Sequence, residues 1–432
     1  MSIELNSTHD PSRRSWVEGA NAADTDFPIQ NLPFGVFRDA AGPARGGIAL
    51  GDRIIDLTAL LAAGVLDADA EAAARAASGS TLAPLLQCSP KAVSALRGAL
   101  SELFRDGGSG DRDQLGRALV PMDGAALLMP LRPPAFTDFC TSIEHIRRMG
   151  AGAPPRLAAM SLPVAYNGRA SSVRPSGAPV VRPCGQFEAP PGGGQVRFGP
   201  EPMLDFELEF GAWLRGGNLI GETLTVAGAE DLIFGCCLVN DWSARGIQFF
   251  ESILGPHLGK SFLTTISPWI VTMEALAPFR TAARGRAGGE PAILGHLLDA
   301  ADRAGGAIQV ELTADLKLPS GVSVTIVRSQ LKDLYWTLAQ MVAHQASNGA
   351  PLESGDLIAT GTVSGPGDGA RACLAEITLR GGEPIVLPDG STRSMLEDGD
   401  ELTLRGRAVA RGAVPIGFGA CSGVVHPART AA

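Results

Sequence analysis

The chain has 432 residues, more than one small hydrophobic core usually organises, and this length favours two domains. Its net charge of −9 disfavours nucleic acid and anionic membranes as partners, because both repel an acidic surface. The longest apolar run, residues 232–239, is interrupted only by Gly235 and is far shorter than the roughly 20 residues that span a membrane. The seven cysteines form no CxxC pair, so reduced thiols in a cytoplasmic protein are expected rather than a zinc ribbon or a disulfide framework.

The N-terminal part predicts a small β unit followed by helices. From Asn31, short strand-like runs with glycine and Asp-Arg turns indicate a small barrel or an open sheet. Residues 56–120 are rich in Ala and Leu at helical spacing, and Ser89 before Pro90 is a typical helix start.

The Pro-rich segment 131–134 predicts a domain boundary, which divides the chain into residues 1–130 and 131–432. The second part is predicted to be mainly β, with a helix around 331–346. The remaining expectations for this part are a Gly/Pro loop over 187–202, the apolar run 232–239 as a buried strand, an exposed excursion over 280–306, and closing strands at 374–380 and 400–406.

Residues 204–210, LDFELEF, carry the strongest chemical signal. Apolar and acidic residues alternate with period two, which predicts a strand with one buried face and with Asp205, Glu207 and Glu209 on the other. Carboxylates two residues apart on a strand are about 7 Å apart and repel each other unless a cation lies between them. An oxygen-only patch of this kind suits Mg²⁺ or Ca²⁺, and the alternative is an acidic strand face that points into water.

Further polar residues stand beside apolar runs, each a weak signal when taken alone. Together they make up the residue types of a metal-assisted hydrolytic or enolate-handling site: metal ligands, oxyanion donors and a general base. The Gly-Lys-Ser at 259–261 lacks the spacing of a phosphate-binding loop, so nucleotide binding is not predicted. The members of this set are Asp138, Glu207, Glu209, Asp241, Lys260, Arg245, Gln248 and His145.

In their order along the chain, these residues resemble fumarylacetoacetase, from about Asn31 to about Val425. The resemblance rests on the segments NLPFGVF, GDRIIDL, LPVAYNGRASSV, LDFELEF, FGCCLVNDWSARGIQ, LGPHLGKSFLTTISPW, SGDLIATGTVSGP and IGFGACSG. It implies a mainly β fold with some α, in which a small SH3-like barrel domain precedes a larger β-roll-type catalytic domain, and it implies a homodimer. It also implies hydrolysis of a carbon–carbon bond in a 2,4-dioxo acid, with fumarylacetoacetate as the default substrate and with a place in tyrosine degradation.

The resemblance also implies roles for individual residues. His145 matches the general base and Glu376 the carboxylate that orients it, while Arg245, Gln248 and Lys260 match the group that stabilises developing negative charge. The implied metal ligands are Asp138, Glu207, Glu209 and Asp241, with Lys260 and Thr264 close to the metal. The implied substrate-contacting positions are Cys140, Tyr166, Gln248, Ser252 and Thr362.

Three positions depart from the family pattern. Cys140 and Ser252 stand where tyrosines are expected, and Gly246 stands where an acid is expected. The substrate-binding arginine has no secure match, and Arg156 or Arg148 is the candidate. Each lost phenol removes a hydrogen-bond donor worth roughly 0.5–1.5 kcal/mol, or about 1.5–3 kcal/mol against a charged group. The machinery is therefore expected to be intact and the specificity altered.

Three alternatives to fumarylacetoacetate hydrolysis stay open. The first is hydrolysis of a different diketone in a specialised pathway. The second is another metal–enolate reaction, a decarboxylation or a tautomerisation, and the third is a metal-stabilised binding protein without catalysis.

Overall fold

A computed structural model describes residues 4–40, 42–150, 153–190 and 192–429. It confirms the predicted fold class, mainly β with some α, in which a small N-terminal unit precedes a larger β domain. The division at residues 130 and 131 stays a prediction. Within the described ranges, no helix combines the length and the apolar character that crossing a membrane requires.

The N-terminal unit is an antiparallel sheet covered by helices. Asp56 and Ser89 each cap a helix, because their side chains accept backbone N–H groups of the first turn. The helix predicted at Ser89 and Pro90 is therefore confirmed, and its buried Leu96 and Leu100 pack on the sheet side of the unit. The helices here are Leu57–Ala63, Ala68–Ala77, Pro90–Phe104 and Arg112–Gly116, with 3₁₀ turns at Ser7–His9, Glu18–Asn21 and Leu85–Gln87.

The N-terminal strands continue into the larger domain through one strand pair, in which Phe34 lies opposite Ile270. The result is a single 13-stranded sheet, called here the main sheet. Its path runs Leu119–Pro121, Arg53–Asp56, Arg45–Leu50, Phe34–Arg38, Trp269–Thr272, Ile233–Asp241, Leu208–Leu214, Leu357–Ala359, Phe136–Cys140 and Val164–Asn167. Off this path lie Ala126–Leu128, Val173–Pro175 and Thr264–Ile266.

A second sheet of six strands packs on the main sheet and closes the larger core. Phe210 of the main sheet meets Phe418, next to the second sheet, edge to face at 5.0 Å between ring centroids. The strands of this sheet are Ser323–Gln330, Val310–Lys317, Glu401–Ala408, Cys421–His426, Val180–Val181 and Ile416–Gly417.

Short elements complete the larger domain. The two-stranded ribbons pair Cys184–Glu188 with Val196–Pro200, Leu204–Asp205 with Ser243–Ala244, Arg280–Thr281 with Ala307–Ile308, and Ile385–Val386 with Thr392–Arg393. The helices are Ile143–Met149, Leu157–Ser161, Val226–Leu232, Arg245–Glu251, Leu258–Ser261, Met273–Leu276, Ala300–Gly305, Leu338–Gln345 and Leu374–Ile377. The 3₁₀ turns are Ala170–Ser172, Ala277–Phe279, Gly295–Leu297, Leu331–Asp333 and Asp368–Ala370.

Several local predictions need correction. Residues 374–380 are not a strand: Leu374–Ile377 is a helix, because the Asp205 carboxylate accepts the N–H groups of Leu374 and Ala375 and so caps it. Residues 187–202 contribute to a hairpin rather than a plain loop. The helix predicted over 331–346 is a 3₁₀ turn followed by Leu338–Gln345, and the strand predicted over 232–239 is Ile233–Asp241.

The excursion over 280–306 is not simply exposed. Leu297 is fully buried, and Asp302 is 6% exposed. The segment folds back on Leu338–Gln345, where the Gln340 amide donates to the Leu297 carbonyl.

Candidate active site

Neighbouring segments of the main sheet bring four carboxylates together. Asp138 lies in Phe136–Cys140, Glu209 in Leu208–Leu214, and Asp241 at the end of Ile233–Asp241. Glu207 lies in the two-residue break between Leu204–Asp205 and Leu208–Leu214. One oxygen of each carboxylate lies within 4.8 Å of those of the other three, and all four residues are buried.

The acidic strand is buried on both faces rather than one, which excludes the alternative of an acidic face that points into water. Asp205, Glu207 and Glu209 are at most 5% exposed. Asp205 does not belong to the carboxylate cluster that Glu207 and Glu209 form. Its oxygens instead accept the backbone N–H groups of Leu374 and Ala375 and the Arg245 Nε–H, the last at 2.9 Å. It holds the chain around the site in place.

Two buried cations offset part of the negative charge. Lys260 Nζ lies 2.6 Å from Glu207 Oε2 and 2.6 Å from Asp241 Oδ2. Arg245 Nη1 lies 2.7 Å from Glu207 Oε1 and donates to Gln248 Oε1 at 3.0 Å. Burial alone would raise the pKa of Glu207, but Lys260 and Arg245 outweigh it and hold that pKa below its ordinary value.

Asp138 and Glu209 have no such ion pair among the described residues. Burial first, and then the neighbouring carboxylates, raise the pKa values of Asp138 and Glu209 well above the ordinary range. Both Glu209 oxygens and Asp138 Oδ1 are buried without a hydrogen-bond partner. Buried acceptors without a donor are rare in folded proteins, and here three of them belong to one cluster.

These oxygens fit a divalent cation. Carboxylate oxygens are the ligands that Mg²⁺ and Ca²⁺ prefer, and a cation supplies the attraction that the unpartnered oxygens lack. The protein can therefore hold a divalent metal among Asp138, Glu207, Glu209 and Asp241.

Two further residues predicted near the metal or the substrate, Tyr166 and Thr264, bind these same acids. The Tyr166 hydroxyl lies 2.8 Å from Asp138 Oδ2 and 2.7 Å from Asp241 Oδ2. Thr264 Oγ1 donates to Asp241 Oδ1 at 3.0 Å. A hydroxyl has one hydrogen, so Tyr166 can donate to only one of its two carboxylates, and a proton on the other makes both contacts favourable.

His145 and Glu376 form a buried pair beside the acids. His145 Nδ1 lies 2.6 Å from Glu376 Oε1, which also accepts from Ser364 Oγ at 2.5 Å. The other oxygen, Oε2, accepts from Arg148 Nη1 at 3.0 Å. Burial would raise the pKa of Glu376, but His145, Ser364 and Arg148 outweigh it, so that pKa lies below its ordinary value.

Local structure fixes the histidine. Ser142 caps the helix Ile143–Met149 by accepting the His145 N–H, and its own hydroxyl donates to the Ser364 carbonyl at 2.7 Å. With Nδ1 engaged by Glu376, Nε2 is the free nitrogen, and Thr362 Oγ1 lies 3.5 Å from it.

A cavity of about 770 Å³ opens beside these groups and is lined by His145, Glu207 and Lys260. The structure also places all five predicted substrate-contacting residues in its wall: Cys140, Tyr166, Gln248, Ser252 and Thr362. Burial, together with the nearby carboxylates, raises the pKa of Cys140, so its thiol stays protonated at neutral pH. Ser252 is exposed at the mouth.

The two candidate substrate arginines differ in what they bind. Arg148 is held by Glu376 and by the Gly365 carbonyl, whereas Arg156 is exposed and lines the cavity. Arg380, which the sequence did not single out, also lines the cavity and lies 5.1 Å above the Phe249 ring. Ser364 was missed as well, although it lies in the quoted segment SGDLIATGTVSGP.

Gly246 has a structural explanation. The Glu201 carboxylate accepts the N–H groups of Gly246 and Ile247 at 3.0 and 2.9 Å. A Cβ added at Gly246 would lie 2.7 Å from Glu201 Oε1. An acid at position 246 would therefore meet the carboxylate that already binds this helix start.

Comparison with known proteins covers nearly the whole chain. The family model described as "Fumarylacetoacetase N-terminal" matches residues 30–130, and "Fumarylacetoacetate (FAA) hydrolase C-terminal" matches residues 135–426. A fumarylacetoacetase of Oryza sativa subsp. japonica is 41% identical over 96% of this chain and 97% of its own. One of Homo sapiens is 37% identical over 94% and 98%.

Solved structures show the same fold at low identity. A fumarylacetoacetate hydrolase from Exiguobacterium antarcticum covers 92% of this chain and 100% of its own, with a TM-score of 0.50 and 19% identity. A probable 2-hydroxyhepta-2,4-diene-1,7-dioate isomerase from Mycobacterium abscessus covers the same shares, with a TM-score of 0.51 and 15% identity. At this identity the similarity describes the fold alone.

Proposed function

This chain belongs to the fumarylacetoacetase family, and we propose that it hydrolyses the carbon–carbon bond of fumarylacetoacetate to give fumarate and acetoacetate. The observation that carries the proposal is the buried His145–Glu376 pair, because His145 lines the same cavity as Asp138 and Glu207 of the four-carboxylate cluster. A general base and a metal-binding cluster on one cavity are what water addition to a ketone requires.

We assign the metal to Asp138, Glu207, Glu209 and Asp241, with Mg²⁺ or Ca²⁺ as the ion. When bound, a divalent cation supplies Lewis acidity towards the carbonyl oxygens of the substrate. Lys260, as an ammonium, adjusts the charge of this cluster rather than ligating, and Thr264 orients Asp241.

His145 is the proposed general base. Glu376 holds the proton on Nδ1, so Nε2 carries the lone pair that accepts a proton from water. The water oxygen adds to the fumaryl carbonyl carbon, and the bond from that carbon to the neighbouring methylene breaks. The electron pair of the broken bond stays on the acetoacetate fragment, which takes a proton back, and the former carbonyl carbon becomes the second carboxylate of fumarate.

Gln248 and Lys260 are the proposed donors to the developing oxyanion. Arg245 donates to Gln248 Oε1, which turns the Gln248 amide hydrogens away from Arg245. Lys260 has three N–H groups, of which two are engaged by Glu207 and Asp241, so one is left for the cavity. Arg245 acts by orienting Gln248, and Arg156 is the proposed contact for a substrate carboxylate.

The first experiment measures fumarate release from fumarylacetoacetate by the Mg²⁺-loaded protein. His145→Ala and Glu207→Ala are expected to abolish it, while His426→Ala and Glu311→Ala, at exposed positions, serve as matched controls. No release by a folded, metal-binding wild-type protein would contradict fumarylacetoacetate as the substrate.

A second candidate is hydrolysis of a different acylpyruvate or β-diketone, favoured by Cys140 and Ser252 in the cavity wall. A panel of 1,3-diketones separates it from the first by kcat/KM. Cys140→Tyr with Ser252→Tyr should then raise the preference for fumarylacetoacetate. Deuterium uptake from solvent without fragmentation would instead indicate a tautomerase.

We further propose a cytoplasmic homodimer that acts in tyrosine degradation. Seven free cysteines support a reducing compartment. Ile253 and Leu254 are 92% and 101% exposed, and such apolar exposure supports a covering partner. Light scattering of wild type and of Leu254→Glu tests the dimer, and a monomeric wild type would exclude it.

A further inference from the structure

A second cavity, also of about 770 Å³, lies between segments 282–308 and 331–340. It shares no lining residue with the cavity at His145. Among the described residues that line it there are four cations and no acid, although the whole chain has a net charge of −9. The cations are Arg284, Arg286, Arg303 and Lys332.

Arg286 is the unusual member of this set. Its guanidinium carbon lies 3.3 Å from the centre of the Tyr335 ring and 4.2 Å from that of the Trp336 ring. Its Nε, Nη1 and Nη2 are all buried without a hydrogen-bond partner. Stacking on aromatic rings stabilises the charge but leaves the in-plane N–H donors unused.

The same residues offer two more unused polar groups. The Tyr335 hydroxyl and the Trp336 indole N–H are also buried and unpartnered. Indole and guanidinium groups can only donate, so the partner that would satisfy them must be an acceptor. A planar guanidinium matches carboxylate and phosphate oxygens best, because two parallel hydrogen bonds can form.

Neighbouring charges do not serve as that acceptor. Arg284 faces Glu144 at 3.6 Å, and Glu290 faces Arg147 at the same distance. These two pairs join the segment that carries Arg286 to the helix Ile143–Met149. They leave Arg286 without an ion pair among the described residues.

We propose that this cavity is a second binding site, for a small organic oxyanion whose carboxylate or phosphate group binds Arg286. The alanine, leucine and isoleucine side chains of the wall, among them Ile293 and Leu298, would pack against an apolar body of the ligand. The site is independent of the proposed reaction, since it contains none of the residues assigned to it.

The test is calorimetric titration of the metal-loaded full chain with sodium benzoate and, separately, with inorganic phosphate. Benzyl alcohol serves as the uncharged probe of benzoate's shape. Arg286→Gln removes the cation, and Arg197→Gln, at an exposed position on the hairpin Cys184–Glu188/Val196–Pro200, is the control with the same net charge.

We expect benzoate to bind wild type and Arg197→Gln equally, and Arg286→Gln about tenfold or more weakly, since charged hydrogen bonds are lost. Benzyl alcohol should bind at least about tenfold more weakly than benzoate. Phosphate that binds more tightly than benzoate in an Arg286-dependent way would identify a phosphate ligand. Arg286-dependent binding of benzoate that is tighter than that of phosphate would identify a carboxylate ligand.

Two results would overturn the proposal. One is the absence of binding by both anions up to about 10 mM, weaker than any useful affinity. The other is benzoate affinity unchanged in Arg286→Gln, which would place the anion elsewhere, including the cavity at His145. If Arg286→Gln does not fold, Arg286→Met keeps the length of the side chain but removes its charge and donors, and unchanged benzoate affinity in that variant has the same meaning.

Discussion

Replacing Glu209 with glutamine should stabilise the metal-free protein and weaken its response to metal. Both Glu209 oxygens are buried without a donor, and Asp138 and Asp241 are close neighbours. In Glu209→Gln the like charge disappears, and the amide nitrogen becomes a donor for those two carboxylates. The change is nearly isosteric, so packing is retained.

The size of the effect follows from the burial of an uncompensated carboxylate, which costs several kcal/mol per ion after relaxation. We expect about 2–4 kcal/mol of added unfolding free energy in EDTA. For a chain of this length, 1 kcal/mol corresponds to roughly 1–2 °C in Tm, because the entropy of unfolding grows with length. Glu209→Gln should therefore melt several degrees above wild type.

Metal should narrow the difference in stability between Glu209→Gln and wild type. At a concentration about 100 times Kd, a ligand that binds only the folded state adds about 2.7 kcal/mol, and wild type should gain this with Mg²⁺. Glu209→Gln should gain much less, because one anionic ligand is missing. Glu311→Gln, at an exposed position, controls for the net charge and should behave as wild type in both conditions.

The pH dependence gives a further check. The pKa of Glu209 is raised in the folded state by burial and by the neighbouring carboxylates. The folded protein therefore holds this proton more tightly than the unfolded chain, and stability is lost as pH rises above the ordinary glutamate value. In EDTA, the advantage of Glu209→Gln should grow from pH 6 to pH 9. Equal melting of the variant and wild type in EDTA, with equal gains from Mg²⁺, would refute the assignment of Glu209 as a ligand.

Three further predictions concern groups around and away from the cluster. Glu376→Gln should lower kcat by about 100-fold or more and alter the pH profile of kcat, because His145 loses its anionic partner. The Mg²⁺ affinity measured by calorimetry should stay unchanged. Loss of metal binding would count against a purely orienting role for Glu376. Gly246→Asp should lower the unfolding free energy by about 1–2 kcal/mol, because the new carboxylate lies beside Glu201. Gly246→Asn, measured in parallel, has a side chain of similar size without the charge and so separates the effect of charge from that of crowding. A Tm of Gly246→Asp at or above that of wild type would contradict this prediction. Burial raises the pKa of Asp302 to about 6 from 3.8, so the stability that its protonated form contributes is complete below pH 3.8 and lost as pH rises through 6. Asp302→Asn should therefore raise Tm at pH 8, by an amount corresponding to at most about 3 kcal/mol, and leave Tm at pH 4 nearly unchanged. A difference in Tm that does not depend on pH would exclude this cause.

The sequence predicted the overall architecture well because its signals are local. Ser89 and Pro90 begin a helix as expected, and the apolar run after Leu232 is a buried strand. Residues 374–380 were predicted wrongly for a non-local reason. Their alternating pattern favours a strand, but the Asp205 carboxylate, far away in the sequence, caps them as a helix.

The acidic strand shows a similar limit. Alternation identified Glu207 and Glu209 as a pair on one face, but it cannot tell whether that face is wet or buried. Glu207 can be buried because Lys260 and Arg245 form ion pairs with it. Both cations lie on segments roughly 40–50 residues away in the sequence. A polar face that is matched by distant cations looks the same in sequence as a solvated one.

The number of donors around each carboxylate sets Glu209 and Asp138 apart from the other buried acids. Asp205, Glu201 and Glu376 each accept from at least three N–H or O–H groups, so their charge is satisfied and their effect is to fix neighbouring chain or side chains. Glu209 accepts from none in the described structure, and Asp138 has one oxygen without a donor. A buried carboxylate that the protein leaves unsatisfied is destabilising unless a cation completes it. Glu209 and Asp138, the acids most expensive to bury, are therefore two of the four that we assign to the metal. Because the donors around each acid come from distant elements, only the folded chain distinguishes these two from the satisfied acids.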